Sequence, residues 1–106
     1  MEKLFLAVNH LHALNIAHRD IKPENIMYGA DNEVKLIDFG LAKRARKKGT
    51  KLSTIAGTPL FMSPEVLKGS YGVECDMWAL GCVMYVLLCG HVPFSGESKA
   101  VIFEKI

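Results

Sequence analysis

The sequence has only three cysteines in 106 residues, too few and of the wrong parity for a disulfide-stapled secreted scaffold. It has no long hydrophobic run. The longest, Met77 to Cys89, is thirteen residues, short of the ~20 that span a bilayer. Its opening, MEKLFLAVNHLHALN, does not read as a secretory leader, because it carries an acid at position two and no small-residue cleavage site. Nor is there a large excess of one charge: thirteen Lys and Arg against eleven Asp and Glu give a net charge of +2, which excludes a highly basic nucleic-acid binder. With 50% hydrophobic and 23% charged residues, the chain is neither a disordered tail nor collagen-like. What remains is one small domain or part of a larger one. Its default setting is reducing and cytoplasmic, with no membrane or nucleic acid among its expected partners.

One absence is local. No Asp or Glu occurs from Leu41 to Pro64, while six of the thirteen cations (Lys43, Arg44, Arg46, Lys47, Lys48 and Lys51) lie inside that stretch. The other seven cations against all eleven acids leave the rest of the chain at net −4. A basic run in an acidic body suggests a loop with a local task, and a solvated surface loop is the plainer reading.

Apolar residues Leu4, Val8 and Leu11 recur at helical spacing and predict an amphipathic helix over 1–17. Ile26–Tyr28 and Val34–Ile37, separated by Gly29-Ala30-Asp31-Asn32, predict a hairpin. From Leu41 to Ser63 the periodicity fades, and a stretch of that kind inside a compact unit usually carries function or is disordered. Pro64-Glu65 opens a short helix. Glu74–Cys89, apolar on nearly every side after Asp76, reads as a fully buried helix ended by Gly90. A further amphipathic helix is expected over Ser98–Ile106. Both ends of the chain fall within periodic helix, so the expectation is a unit clipped at each end. Cys75, Cys82 and Cys89 share one helix face with neighbours roughly 10 Å apart, too far for a disulfide or a shared metal, and read as small core residues. His10, His12 and His91 show no ligand pattern.

Two segments carry chemistry: His18-Arg19-Asp20-Ile21-Lys22-Pro23-Glu24-Asn25, and Asp38-Phe39-Gly40 after the hairpin. They place two carboxylates, an amide and an ammonium on loops at strand ends. Such a set suits phosphoryl transfer, with a carboxylate to orient a hydroxyl, oxygen ligands for Mg²⁺ and a cation for the moving phosphoryl group. Taken singly, Asp20 and Asn25 also read as turn formers and Asp38 as a strand-end cap. The ordered set is far more specific than any one of them.

With Gly57-Thr58-Pro59, Ser63-Pro64-Glu65 in place of the usual Ala-Pro-Glu, and Asp76-Met77-Trp78-Ala79-Leu80-Gly81, the sequence resembles the protein kinase superfamily over essentially its whole length. Lys22 and Thr58 point to its serine/threonine branch. HRDIKPEN followed by IMYG and AGTP is similar in texture to calmodulin-dependent and calcium-dependent protein kinases. The resemblance implies an α+β fold, part of a kinase C-terminal lobe, mainly helical with a short β-hairpin. Residues 18–25 would be the catalytic loop, 38–40 the metal-binding motif, 38–65 the activation segment and about 74–89 the central buried helix.

Residue by residue, the resemblance makes Asp20 the group that accepts or orients the substrate hydroxyl proton and Lys22 the cation for the γ-phosphate of ATP. Asn25 and Asp38 become the Mg²⁺ ligands. Glu24 and Met27 fall on the nucleotide side, Met27 as the floor beneath the adenine, although an ordinary core methionine fits an apolar strand equally. His18 and Phe39 become packing residues that align the two loops, and Glu65 the partner of an arginine expected beyond Ile106. Asp76 should accept hydrogen bonds from catalytic-loop amides, a role compatible with a helix-dipole acid. Thr54 becomes a phosphate acceptor with Arg19 and Lys43 as its cationic partners, and Thr50 and Ser53 are alternative acceptors. An unmodified threonine in a loop is the bland alternative.

The glycine-rich loop, the strand lysine and its glutamate partner do not occur in this sequence, and neither does a D-x-[DN]-x-[DN]-G calcium loop. The expectation is therefore a serine/threonine kinase segment acting on protein hydroxyls in a longer enzyme and inactive by itself, with any calcium or calmodulin regulation exercised from outside these residues. The alternatives are a catalytically inert kinase-like binding module, a truncated gene product, and a pseudokinase segment, the last opposed by the intact Asp20, Lys22, Asn25 and Asp38.

Overall fold

The computed structural model describes residues 1–45 and 49–106, so Arg46, Lys47 and Lys48 of the basic run lie outside the described residues. Helix α1 spans Glu2–Ala13, shorter than the helix expected over 1–17. The cause is local: Asn15 takes the left-handed conformation (φ 59°), which ends the helix. The next two residues, Ile16–Ala17, become strand β1. Their apolar character continues the helical pattern in sequence but serves a strand in space.

Strands β2 (Ile26–Tyr28) and β3 (Val34–Leu36) form the expected antiparallel hairpin, with Ile26 opposite Leu36 and Tyr28 opposite Val34. Strand β4 (Lys43–Arg44) pairs with β1, Ala17 opposite Lys43. The fade of periodicity after Leu41 had given no sign of β4. It is a two-residue strand, too short to alternate visibly, and further on Leu52 bridges Tyr71. The pairing scheme has a direct consequence. Because β1 pairs with β4 while β2 pairs with β3, the loops 18–25 and 37–42 both run from one ladder to the other, side by side.

Helix α2 (Pro64–Leu67) starts with proline in its first turn and Ser63 as its cap, whose Oγ accepts from the Val66 amide at 3.3 Å. Helix α3 spans Cys75–Cys89, Glu74 being its N-cap residue, and closes on Gly90 (φ 81°). Helix α4 covers Lys99–Lys105, capped by Ser98. No described helix is long and apolar enough to cross a membrane.

Leu4 and Val8 of α1, Ile21, Phe61, and Ala79, Leu80, Cys82 and Val83 of α3 make one buried cluster. Ala17, Leu52, Met62, Val66, Tyr71 and Cys75 make a second. Truncating Leu80, fully buried, to alanine would cost about 2–5 kcal/mol in such surroundings. The expectation that α3 is buried all round fails: Met77 is 46% exposed, and beyond Val83, where Val86 still packs against the core cluster, Leu87 is 66% and Leu88 80% exposed. Cys89 is exposed with them, which corrects its reading as a core residue, whereas Cys75 and Cys82 are buried. Burial pushes both buried thiols up, Cys75 to about 12 with help from the negative charges of Asp76 and Glu65.

Candidate active site

Asp76 ties the site to the core. It is buried at the start of α3, where an acid is favoured by the helix dipole. Its carboxylate accepts from the backbone amides of His18 (2.8 Å) and Arg19 (2.9 Å), and it meets His12 Nε2 at 3.0 Å. A buried carboxylate is tolerable only when so paired. In return it fixes the entry to the 18–25 loop, including Arg19 in a left-handed conformation (φ 69°) that a non-glycine residue keeps only when its surroundings impose it.

His18 joins the two parallel loops. Its Nδ1 accepts from the Asp20 amide at 3.2 Å, which assigns the ring proton to Nε2, and Nε2 donates to the Ile37 carbonyl at 3.0 Å. Its ring meets that of Phe39 edge-on, with centroids 4.9 Å apart. The Asn25 carbonyl accepts from the Ile37 amide at 2.9 Å, and Arg19 Nε donates to the Leu41 carbonyl at 2.7 Å. Four separate contacts therefore register one loop against the other.

Within this frame Asp20, Lys22, Asn25 and Thr58 come together. Thr58 Oγ1 donates to Asp20 Oδ1 at 2.7 Å and accepts from Lys22 Nζ at 3.0 Å, while Lys22 lies 3.7 Å from Asp20 Oδ2. Asn25, buried, donates from Nδ2 to the Asp20 carbonyl (2.8 Å) and to Oδ2 (3.3 Å). Asp20 is thus a partly exposed carboxylate held by two hydrogen bonds, with an ammonium beside it. That is the arrangement required to receive a hydroxyl proton and to face a polyanion at once.

Asp38 is placed differently. It sits in a left-handed conformation (φ 57°) on the second loop, exposed, its one side-chain bond among the described residues being Oδ1 accepting from the Gly40 amide at 3.2 Å. Among the described residues no three His, Cys, Asp or Glu side chains form a metal cluster. A carboxylate and an amide on adjacent loops nevertheless fit Mg²⁺, which takes one or two protein oxygens and fills its shell with phosphate and water.

Glu24 and Met27 are exposed, Met27 by 52%, so Met27 is a surface residue here and not a core methionine. Glu65 is half-buried and has no ion pair among the described residues. Arg19, Lys43, Arg44, Lys51 and Thr54 line one cavity of about 230 Å³, so Thr54 and its expected cationic partners share a groove.

The sequence reading missed three residues. His12 had been given no role because its partner Asp76 lies 64 residues on, a pairing no local pattern reveals. Tyr71 stands outside the motifs of the sequence. Gly57 stands in the sequence only as part of a motif, yet at φ 116° an added Cβ would stand 2.6 Å from the Arg19 carbonyl oxygen, so only glycine lets this segment approach the 18–25 loop.

Comparison with known proteins agrees over the whole chain. The family model described as "Protein kinase domain" matches residues 1–106. "Calcium-dependent protein kinase 5" of Plasmodium berghei is 41% identical, over 100% of this chain and 19% of that protein. "Serine/threonine-protein kinase PEPKR2" of Arabidopsis thaliana is 47% identical, over 97% of this chain and 22% of that protein. "Serine/threonine-protein kinase cds1" of Schizosaccharomyces pombe is 43% identical over the full chain and 25% of its own length. The chain thus spans about a fifth to a quarter of the length of these curated relatives.

Proposed function

The chain belongs to the protein kinase domain family, and from that premise we propose that it is a catalytic segment of a serine/threonine kinase, transferring the γ-phosphate of ATP to protein hydroxyls within a longer polypeptide. The observation that carries this reading is the Asp20 carboxylate, bonded by the Thr58 hydroxyl at 2.7 Å with Lys22 Nζ 3.7 Å away. Asp20 would orient the acceptor hydroxyl and take up its proton. Lys22 would offset the charge of the phosphoryl group as it leaves ATP. Thr58 holds both side chains in register. Asn25 and Asp38 would hold Mg²⁺, which supplies charge neutralisation to the phosphates when bound. Met27 and Glu24, on the exposed hairpin side, are assigned to the nucleotide.

Thr54 is proposed as the phosphate acceptor that orders the activation segment, with Arg19 and Lys43 in its groove. Calcium-linked control is proposed only for regions outside these 106 residues. Its support is the name of calcium-dependent kinases among the relatives, since the sequence holds no calcium-loop motif. The test is phosphate transfer to a generic basic protein by the complete polypeptide that carries these residues, beside its Asp20→Asn variant. Activity lost by at least about a hundredfold in the variant is the expected result. Transfer that survives Asp20→Asn would refute the assignment, and no transfer by the unaltered polypeptide would favour the inert binding module.

A further inference from the structure

Tyr71 is 1% exposed, the largest of the fully buried side chains among the described residues. Packing against Ala17, Leu52, Met62 and Val66 accounts for its ring, but phenylalanine would fill that space without bringing a hydroxyl that must be satisfied. The hydroxyl is satisfied twice, by groups from two functional loops. It accepts from Arg19 Nη1 at 2.9 Å, and it donates to the Thr54 carbonyl. The backbone of the same residue grips the activation segment two positions earlier, with Leu52 N–H to Tyr71 O at 2.6 Å and Tyr71 N–H to Leu52 O at 3.0 Å.

These contacts close a ring. Thr54 is bound through Tyr71 to Arg19, and Thr58, four residues on, is bound to Asp20, the next residue after Arg19. Between them Gly57 presses against the Arg19 carbonyl. The span 54–58 is therefore pinned at both ends to two consecutive residues of the catalytic loop. Resting on the kinase reading above, we propose that the Tyr71 hydroxyl is a positioning group for catalysis. It sets the register of the activation segment against Arg19 so that Thr58 reaches Asp20.

The experiment uses the complete polypeptide with Tyr71→Phe, which keeps the ring and deletes only the hydroxyl. The expected result is a kcat lowered roughly tenfold with the KM for ATP changed by less than about twofold. In the same protein, hydrogen exchange should accelerate at the amides of 52–58 and stay unchanged in the cores of α1 and α3. Unchanged kcat and exchange would overturn the proposal. So would acceleration of the α1 and α3 amides equal to that of 52–58, which would make the hydroxyl a general stabiliser. The exchange comparison needs no turnover, so it tests the hold of Tyr71 on 52–58 even if the polypeptide transfers no phosphate. The Asp20→Asn comparison judges the kinase reading separately.

Discussion

The two loops that lie side by side in this chain each carry a carboxylate of the proposed active site, and they hold them in opposite ways. Asp20 is bonded by Thr58 and Asn25, approached by Lys22, and follows two residues whose amides are fixed by the buried Asp76. Asp38 is exposed and, among the described residues, bonds only the amide of Gly40, two residues along its own loop. The difference matches the tasks proposed for them. A group that orients a proton must be pre-positioned to fractions of an ångström by the protein itself. A group that binds a metal can take its final position from the metal and the phosphates it meets.

If that contrast is right, damage to the frame around Asp20 should unfold the molecule as well as silence it. Asp76→Ala is the strongest such test. It leaves two loop amides and His12 without their acceptor in a buried place, and a loss of about 3–5 kcal/mol in urea denaturation is expected. A loss below about 1 kcal/mol would mean that the loop is held by something else. Gly57→Ala comes next, because a methyl 2.6 Å from the Arg19 oxygen at φ 116° must push the loops apart. About 1–3 kcal/mol is expected, read as a lower melting midpoint. Thr58→Val should cost folding less and lower kcat roughly tenfold, with Thr58→Ser restoring it, since serine keeps the hydroxyl that joins Lys22 to Asp20.

A further effect should appear with pH. Cys75, beside Asp76, has its thiol pushed up from 9.0 to about 12 by burial, with Asp76 and Glu65 adding to it. In the unfolded chain the thiol ionises first, so the folded state binds more protons between those values. Stability is fully present below pH 9 and falls as pH rises toward 12. Denaturation across that range checks the sign, and Cys75→Ser should flatten this component. In the folded protein at mild pH, thiol reagents should label exposed Cys89 and spare Cys75.

The site was more legible in the sequence than the frame was. Asp20, Lys22, Asn25 and Asp38 stand in short ordered motifs whose chemistry is local, and the hairpin carried its own turn residues. The β1–β4 ladder did not show, because two-residue strands leave no alternation to read. The end of α1 was hidden because Ile16 and Ala17 are apolar for a sheet rather than a helix. His12–Asp76, Tyr71–Arg19 and Gly57–Arg19 are contacts between residues 38 to 64 positions apart. They depend on how loops pack, which no single window of sequence records. The burial of α3 shows a related limit, with Leu87 and Leu88 exposed: composition states what a helix could bury, not what is beside it.

The least disruptive change is also the sharpest test of the contrast. Asp38→Asn keeps an oxygen for the Gly40 amide and keeps a residue type that accepts the left-handed backbone at φ 57°, so it removes charge and little else. Folding stability should move by less than about 0.5 kcal/mol, as expected for an exposed group with no buried partner. Phosphate transfer by the complete polypeptide should nonetheless fall at least about a hundredfold, because the loss is that of a metal ligand and not of a structural tie. The measurement pairs urea denaturation with turnover at rising Mg²⁺. A large stability loss with Asp38→Asn would show that this loop, like its neighbour, is held by its carboxylate. Full activity without the charge would remove Asp38 from the metal-binding assignment altogether.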